Sequence, residues 1–452
     1  MKRIDKAEKM DINKIAIFGG GSPYIPAVLY SFAHSGEVFS ETEICLMDIN
    51  PTRLPLMQAL GTKIAEAAKC NLKITVTTDL KESLDGSDFV ISNFRAGGIE
   101  SLRLDEEIPV KYGIFGNETT GPGGTFYALR SIPQTLNLCR SIEINCPDAW
   151  LINYTNPTNF VADAIRRKSK IKCIAVCDGG GNGLSHELAE SFKKRKEEVR
   201  LRCAGTNHPA NWIIDIRVNG EDGYPLLEQH IIDEIEKAEK PEIKREFEFD
   251  AEIMKTYGFY PANSVYLFPY FHHDEALAFY RNGCWSLYRT FMKELPTQWK
   301  KYEAIAKGES LVLMDSSMHH TGVTHGDLAT QIITAIVTNK QIELHLNIPN
   351  EGAIPNLPHS SIVEVPALID ASGIKPLCMG KLPKGLQELA SAIIHWEELT
   401  VDAALSGDRE LLLQALMAHP RWPVTFDKAE KICSEMLKAH SKYLPQFDNK
   451  NS

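Results

Sequence analysis

A chain of 452 residues exceeds the usual size of one domain, and 43% hydrophobic with 24% charged residues describes a globular protein with a large core, not a disordered or fibrous one. The net charge of −10 argues against a nucleic-acid partner, though not against a small anionic ligand held by local arginines; no apolar run approaches a membrane span. Ten cysteines without paired zinc-type spacing, and a mixed-charge start lacking the apolar core of a secretory signal, lead us to expect a cytoplasmic protein with mostly reduced cysteines.

The first element, a strand at 15–18, runs directly into Gly19-Gly20-Gly21-Ser22, and Asp48 closes the next strand. Glycines after a buried parallel strand let the backbone approach a pyrophosphate at the start of the following helix. An acid at the end of the second strand suits a ribose and repels a 2′-phosphate, which favours NAD over NADP. The third glycine of the usual fingerprint is replaced by Tyr24, after Pro23. Strands at 15–18, 43–48, 73–77, 89–93, 149–154 and 172–177 alternate with helical segments, the order of a doubly wound Rossmann-type sheet. Beyond Arg200 the pattern becomes mixed α+β, with a strand at 212–218, a charged helix and connection around 226–246, and long helices near 327–338 and 383–405. We therefore expect a nucleotide-binding domain over 1–200 and a substrate- and metal-binding domain over 201–452, with a frayed tail at 448–452.

Ligands of such sheets bind beyond the carboxyl ends of the strands, and polar clusters stand at five of those ends. Arg95 offers a fork of donors for a phosphate or carboxylate, the alternative being an ion pair with Asp105, Glu106 or Glu107. Asn117-Glu118-Thr119-Thr120-Gly121-Pro122-Gly123-Gly124 reads as a loop over the cofactor, ahead of a helix at 126–138. The amides of Asn153, Asn156 and Asn159 suit hydroxyl recognition, although Asn-Pro is also a turn signal. Cys177 with His208 makes a ligand pair for a divalent ion, although a lone Cys and a lone His are more often plain core residues. Asp178 at the sheet edge can serve as a general acid. Tyr266 and Tyr270 could act as a base only with a cation beside them to lower their pKa.

Taken together, these residues resemble glycoside hydrolase family 4, the NAD- and metal-dependent glycosidases. The resemblance runs through the glycine turn, Arg95-Ala96-Gly97-Gly98, Asn117–Gly124, Asn153-Tyr154-Thr155-Asn156-Pro157 and Asn207-His208, and on through Ile354–Pro358, Val363–Pro366 and Glu398–Val401. It implies that Cys177 and His208 hold a manganese-type ion, and that an aspartate directly after the cysteine marks the 6-phospho-α-glucosidase branch. It implies Tyr266 as the base, with Tyr257 and Tyr270 as alternatives. Arg95 would hold a 6-phosphate, Asn156 the ring hydroxyls, and Arg281 a second phosphate contact unless it is a plain surface arginine. The implied reaction lies outside the paired-carboxylate scheme. Hydride leaves C3 of the sugar, Tyr266 takes the C2 proton, Asp178 protonates the departing oxygen, water adds, and the hydride returns. A second domain like that of lactate and malate dehydrogenases, a sugar substrate and a homodimer or homotetramer follow from the same resemblance. The competing readings are unphosphorylated substrates within the family (a galactoside, glucoside or uronide), a 2-hydroxy-acid dehydrogenase, and an inactive sugar- or NAD-binding regulator.

Overall fold

The computed structural model describes residues 11–309, 323–420 and 424–447. Six short strands come first: β1 (Lys14–Phe18), β2 (Glu43–Met47), β3 (Lys73–Thr77), β4 (Phe89–Ser92), β5 (Trp150–Asn153) and β6 (Lys172–Ala175). They pair in parallel in the order β3-β2-β1-β4-β5-β6, the doubly wound arrangement expected. Between them run α1 (Ile25–His34), α2 (Leu54–Ala68), α3 (Leu80–Leu84), α4 (Gly98–Lys111), α5 (Gly121–Asn145) and α6 (Thr158–Lys168), and α7 (Gly181–Ser191) leaves the last strand. Helices on both faces explain why Ile15, Ile17, Leu46, Ile91, Leu151 and Ile174 are all buried: these strands have no solvent face to alternate toward.

The second half extends the same sheet with antiparallel strands: β7 (Val199–Gly205), β8 (Asn211–Val218), β9 (Glu221–Asp222), β10 (Ile342–Pro349), β11 (Ile362–Asp370) and β12 (Gly373–Pro376). Its junctions are thin. β10 meets β6 at Asn347 opposite Ala175, and β11 meets β7 at Glu364 opposite Gly205. Both junctions lie within a few residues of Cys177 and His208, so the antiparallel extension is what carries the two into one place. Around it stand α8 (Tyr224–Lys237), α9 (Pro241–Tyr257), α10 (Ser264–Phe271), α11 (His273–Arg281), α12 (Leu287–Ala306), α13 (Val323–Thr338), α14 (Lys384–Ser406), α15 (Arg409–Ala418) and α16 (Phe426–His440). The main core draws on both halves of the chain, from Ile12 to Leu444, while a smaller one gathers Leu201, Ile213, Ile216, Leu227, Ile231 and Tyr260. No helix among the described residues is long and apolar enough to cross a membrane.

Two segments differ from expectation. The charged stretch at 226–246 is split between two helices, because Pro241 cannot sit in a helix interior and instead occupies the first turn of α9. The glycines at 121–124 form the first turn of α5 and not a loop. A Cβ at Gly123 would stand 2.1 Å from the Asn117 carbonyl oxygen, and one at Gly124 would stand 2.3 Å from that of Thr119. Close backbone packing inside a helix, not loop freedom, demands glycine there. The tail at 448–452 lies outside the described residues.

Candidate active site

The glycine turn is built by contact. Gly19 has φ +86°, and a Cβ on it would meet the Asn93 carbonyl oxygen at 2.0 Å; one on Gly20 would meet Leu46 at 2.8 Å. Asp48 accepts the Gly21 amide at 2.9 Å through one oxygen and the Asn50 amide at 2.9 Å through the other, which ties the acid to the turn. The N-terminus of α1 beyond Ser22 carries no side-chain cap hydrogen bond. The second half of the chain supports this edge from outside. Tyr302 of α12 donates its hydroxyl to the Pro23 carbonyl at 2.8 Å, and Arg53 lies 3.8 Å over the Trp299 ring.

Beyond β6, Cys177 Sγ lies 3.4 Å from His208 Nε2. Metal–sulfur and metal–nitrogen bonds of about 2.3 and 2.1 Å at a tetrahedral or right angle give a sulfur–nitrogen span of about 3.1–3.6 Å, so the pair has the bite of one first-row ion. Among the described residues no group of three or more His, Cys, Asp or Glu converges to hold a metal. An ion here would take two protein ligands and keep positions for other oxygens. Burial lowers His208 to about 4, leaving a neutral imidazole with a lone pair to give. Burial, then Glu364, raises the Cys177 thiol to about 11, so it would lose its proton only to an ion.

The glycine run after Asp178 is equally packed. A Cβ at Gly179 would meet His208 at 2.8 Å, one at Gly180 would meet Glu364 Oε1 at 1.7 Å, and one at Gly181 would meet the His345 ring at 2.6 Å. Glu364, buried on β11, accepts the Gly181 amide at 3.0 Å and the Asn207 side-chain amide at 2.8 Å, tying the cysteine segment to the histidine segment. His208 itself has φ 64°, a left-handed backbone that an L-residue adopts at a cost of about 1–3 kcal/mol and keeps where its surroundings hold it. Asn263 does so from the turn before α10, with its amide nitrogen 3.1 Å from His208 Nδ1 and 2.8 Å from the Gly179 oxygen.

Of the three candidate tyrosines, only Tyr266 is brought to this pair, its ring centroid 4.2 Å from that of His208. Tyr270 is turned away and shares a 2.9 Å hydrogen bond with His419; Tyr257 stands among Trp212, Phe271 and Gly385. Burial holds the Tyr266 hydroxyl well above its ordinary value, and the Glu118 carboxylate and Cys177 push it the same way. Arg95 pairs with Glu118, not with the acids closer in sequence. Those are engaged elsewhere: Asp105 with Arg130 at 2.5 Å, Glu106 with Ser286 at 2.5 Å, and Glu107 with Arg103 at 2.5 Å. The Arg95 guanidinium also lies 4.8 Å over Tyr127. Asn156, half-buried past β5, accepts the Thr158 hydroxyl at 2.7 Å. Asp178, half-buried, lies between Cys177 and the packed glycines, whereas Arg281 is exposed at the end of α11 and is not brought to this group.

A family model described as family 4 glycosyl hydrolase matches residues 14–193, and that of the family's C-terminal domain matches residues 203–422. The chain belongs to glycosyl hydrolase family 4. A probable 6-phospho-β-glucosidase of Bacillus subtilis (strain 168) is 30% identical across 97% of this chain and 98% of its own. The solved structure of a 6-phospho-α-glucosidase from gut microorganisms, in complex with NAD and Mn2+, is 25% identical with a TM-score of 0.85 and covers 96% of this chain and 99% of its own. Malate dehydrogenase from Plasmodium falciparum shares the fold alone, at 14% identity and a TM-score of 0.52 over 87% of this chain and 99% of its own. The protein is therefore a glycoside hydrolase on a dehydrogenase-like scaffold, which sets aside the reading as a hydroxy-acid dehydrogenase.

In this family 4 chain several residues around the site were not singled out from the sequence. Glu118 and Glu364 stood inside quoted motifs without a role, and Asn263, Trp299 and Tyr302 carried no signal. A charged residue inside an apolar strand, as Glu364 is in Ile362–Asp370, is the one mark that could have pointed to a buried partner.

Proposed function

We propose that this chain hydrolyses a 6-phosphorylated α-glycoside using NAD and a manganese-class divalent ion. The observation that carries the reading is the convergence of Cys177, His208 and Tyr266 beyond β6, on the sheet edge that also holds the glycine turn and Arg95. The relative solved with NAD and Mn2+ supports the two cofactors, and the carboxylate directly after Cys177 supports the α-linked substrate.

When bound, these groups would supply a reversible hydride acceptor for C3 and a Lewis acid for the resulting ketone. Gly19, Gly20, Gly21 and Ser22 would hold the pyrophosphate, and Asp48 the ribose. Cys177 Sγ and His208 Nε2 would hold the ion, the cysteine and histidine segments being tied by Glu364; with the ion on Nε2 the proton sits on His208 Nδ1, so Asn263 would turn its side-chain oxygen to that nitrogen. Tyr266 removes the C2 proton. Its buried hydroxyl resists ionisation, so a positive charge beside it is a requirement of the reading, and the neighbouring cysteine–histidine pair is where that charge would stand. Asp178 gives its proton to the glycosidic oxygen as the C1–O bond breaks. Water then adds across the unsaturated sugar before the hydride returns. Arg95, with Glu118 on one nitrogen, presents its remaining N–H groups to the 6-phosphate, and Asn156 takes ring hydroxyls.

Turnover in deuterated water tests this directly, because a displacement at C1 never breaks the C2–H bond. We expect deuterium at C2 of the released sugar, no net accumulation of NADH, and loss of turnover when either NAD or the divalent ion is removed. Product without deuterium at C2, or full activity after chelation, would overturn the mechanism.

A further inference from the structure

Arg130 of α5 is a cation whose side chain is 0% exposed, as is that of its partner Asp105 on α4. The two close in a parallel pair of hydrogen bonds, Nη1 to Oδ1 at 2.8 Å and Nη2 to Oδ2 at 2.5 Å, and His440 of α16 stands 3.1 Å from the same carboxylate. A guanidinium used this way still has Nε to give, and Arg130 Nε donates to the Ala96 carbonyl at 3.2 Å. Ala96 adjoins Arg95 in the turn between β4 and α4. That turn bends through Gly97 at φ +88° and Gly98 at φ +62°, left-handed positions that glycine adopts freely but cannot stiffen with a side chain of its own. Its stiffness must come from outside. A Cβ at Gly97 would lie 2.0 Å from Ser101 Oγ and 3.4 Å from Arg130 Nε, so the buried arginine is packed on the turn as well as bonded to it. The Arg130 guanidinium also lies 5.6 Å from the ring of buried Tyr127, over which Arg95 lies at 4.8 Å. Arg130 thus touches both supports of Arg95, the backbone beside it and the ring beneath it, while engaging Asp105. As an internally neutral pair, Arg130 and Asp105 add little attraction for an anion; what they contribute is geometry.

We propose that Arg130 is a positioning residue for the anion site, fixing the turn at 95–98 so that the remaining N–H groups of Arg95 are presented in one place. It thereby sets the preference for a 6-phosphorylated substrate without touching that substrate. The proposal rests on the reading of Arg95 as the phosphate ligand.

Two variants release Ala96 in different ways. Arg130→Met/Asp105→Asn removes the tie and leaves no unpaired buried charge, and Arg130→Lys keeps the ion pair but replaces the fork by a single ammonium that follows the carboxylate. Each is compared with wild type on nitrophenyl α-glucoside with and without a 6-phosphate, in the presence of NAD and Mn2+. Both variants should lower the phosphorylated-to-unphosphorylated ratio of kcat/KM at least tenfold, through a higher KM for the phosphorylated substrate, with kcat within about threefold of wild type. A purely structural arginine would lower activity on both substrates alike. A ratio unmoved in both variants, or loss of folding in both, would overturn the positioning role; if Arg95→Ala still collapses the ratio, the phosphate reading survives that result. A wild type indifferent to the 6-phosphate would overturn the phosphate reading and the proposal with it.

Discussion

Cys177 was legible because it closes an apolar strand, where a polar residue has the ligand crevice as its surroundings, whereas His208 follows the alternating strand Val199–Gly205 and is marked only by the Asn207-His208 pair. Their pairing was not legible, since it depends on β7 being carried beside β11 from the far half of the chain. Substituting Cys177 by Ser or His208 by Ala should weaken Mn2+ binding by tenfold or more in a calorimetric titration, with NAD affinity within about twofold of wild type, because the glycine turn and Asp48 lie on other strands. An unchanged Mn2+ titration for Cys177→Ser would remove the cysteine from the ligand set. Arg95 teaches a different lesson. Three acids nearer in sequence competed for it on paper, yet α4 turns Asp105 toward Arg130 and Glu106 toward Ser286, and Glu118 takes the pair. Arg95→Ala should cost about 2–5 kcal/mol in transition-state binding of a 6-phosphorylated substrate and little for its unphosphorylated counterpart. Because the variant also strands the buried Glu118, the double variant Arg95→Ala/Glu118→Gln should recover folding stability without recovering the phosphate preference. Equal losses on both substrates would move the phosphate away from Arg95.

The inner parallel strands are written in the sequence as largely apolar runs, since burial on both faces leaves little other pattern open to them, whereas the edge strand β3, Lys-Ile-Thr-Val-Thr, alternates and stays part-exposed. Where glycine clusters occur, composition misled: a run such as Gly121–Gly124 has the look of a flexible loop, and only the surrounding carbonyls show that it is the tight start of α5. The same holds for Gly179–Gly181, which is squeezed between His208, Glu364 and His345. The thin junction of β7 with β11 relies on that squeeze, because Glu364 both pairs opposite Gly205 and accepts the Gly181 amide. A methyl group at Gly180 would have to displace the Glu364 carboxyl, which cannot retreat without abandoning two hydrogen bonds. Gly180→Ala should therefore destabilise the fold by about 1–3 kcal/mol and weaken Mn2+ binding with it, whereas Gly220→Ala, with nothing within 4 Å of its Cβ, should leave metal affinity alone. Urea unfolding and metal titration of the two variants decide the matter. If Gly180→Ala binds Mn2+ normally, Glu364 does not position the pair.

Across the molecule, the two halves share the main hydrophobic core and are tied besides by polar contacts between helices. Asn159 of α6 donates to the buried Glu397 of α14 at 3.2 Å, Tyr112 just after α4 donates to Glu435 of α16 at 2.6 Å, and Glu106 of α4 reaches the head of α12. Such ties are invisible in a sequence, where a glutamate on a helix reads as solvent-facing until its partner helix is known. Glu106 shows what the arrangement costs. It accepts from the Ser286 hydroxyl at 2.5 Å, the Tyr288 amide at 3.1 Å and the Tyr280 hydroxyl at 3.3 Å, yet burial outweighs those donors and lifts its carboxyl to about 7 from an ordinary 4.5. The folded state therefore favours the protonated acid. Its stabilising contribution is complete below pH 4.5 and is lost as pH rises through 7, the reverse of a salt-bridged carboxylate. Glu106→Gln keeps the shape and cannot ionise, so the stability of wild type relative to this variant should fall by about 1–3 kcal/mol between pH 4.5 and 8 in denaturant unfolding. Parallel pH profiles would mean that Glu106 keeps its ordinary carboxyl pKa in the folded state, its three donors offsetting burial.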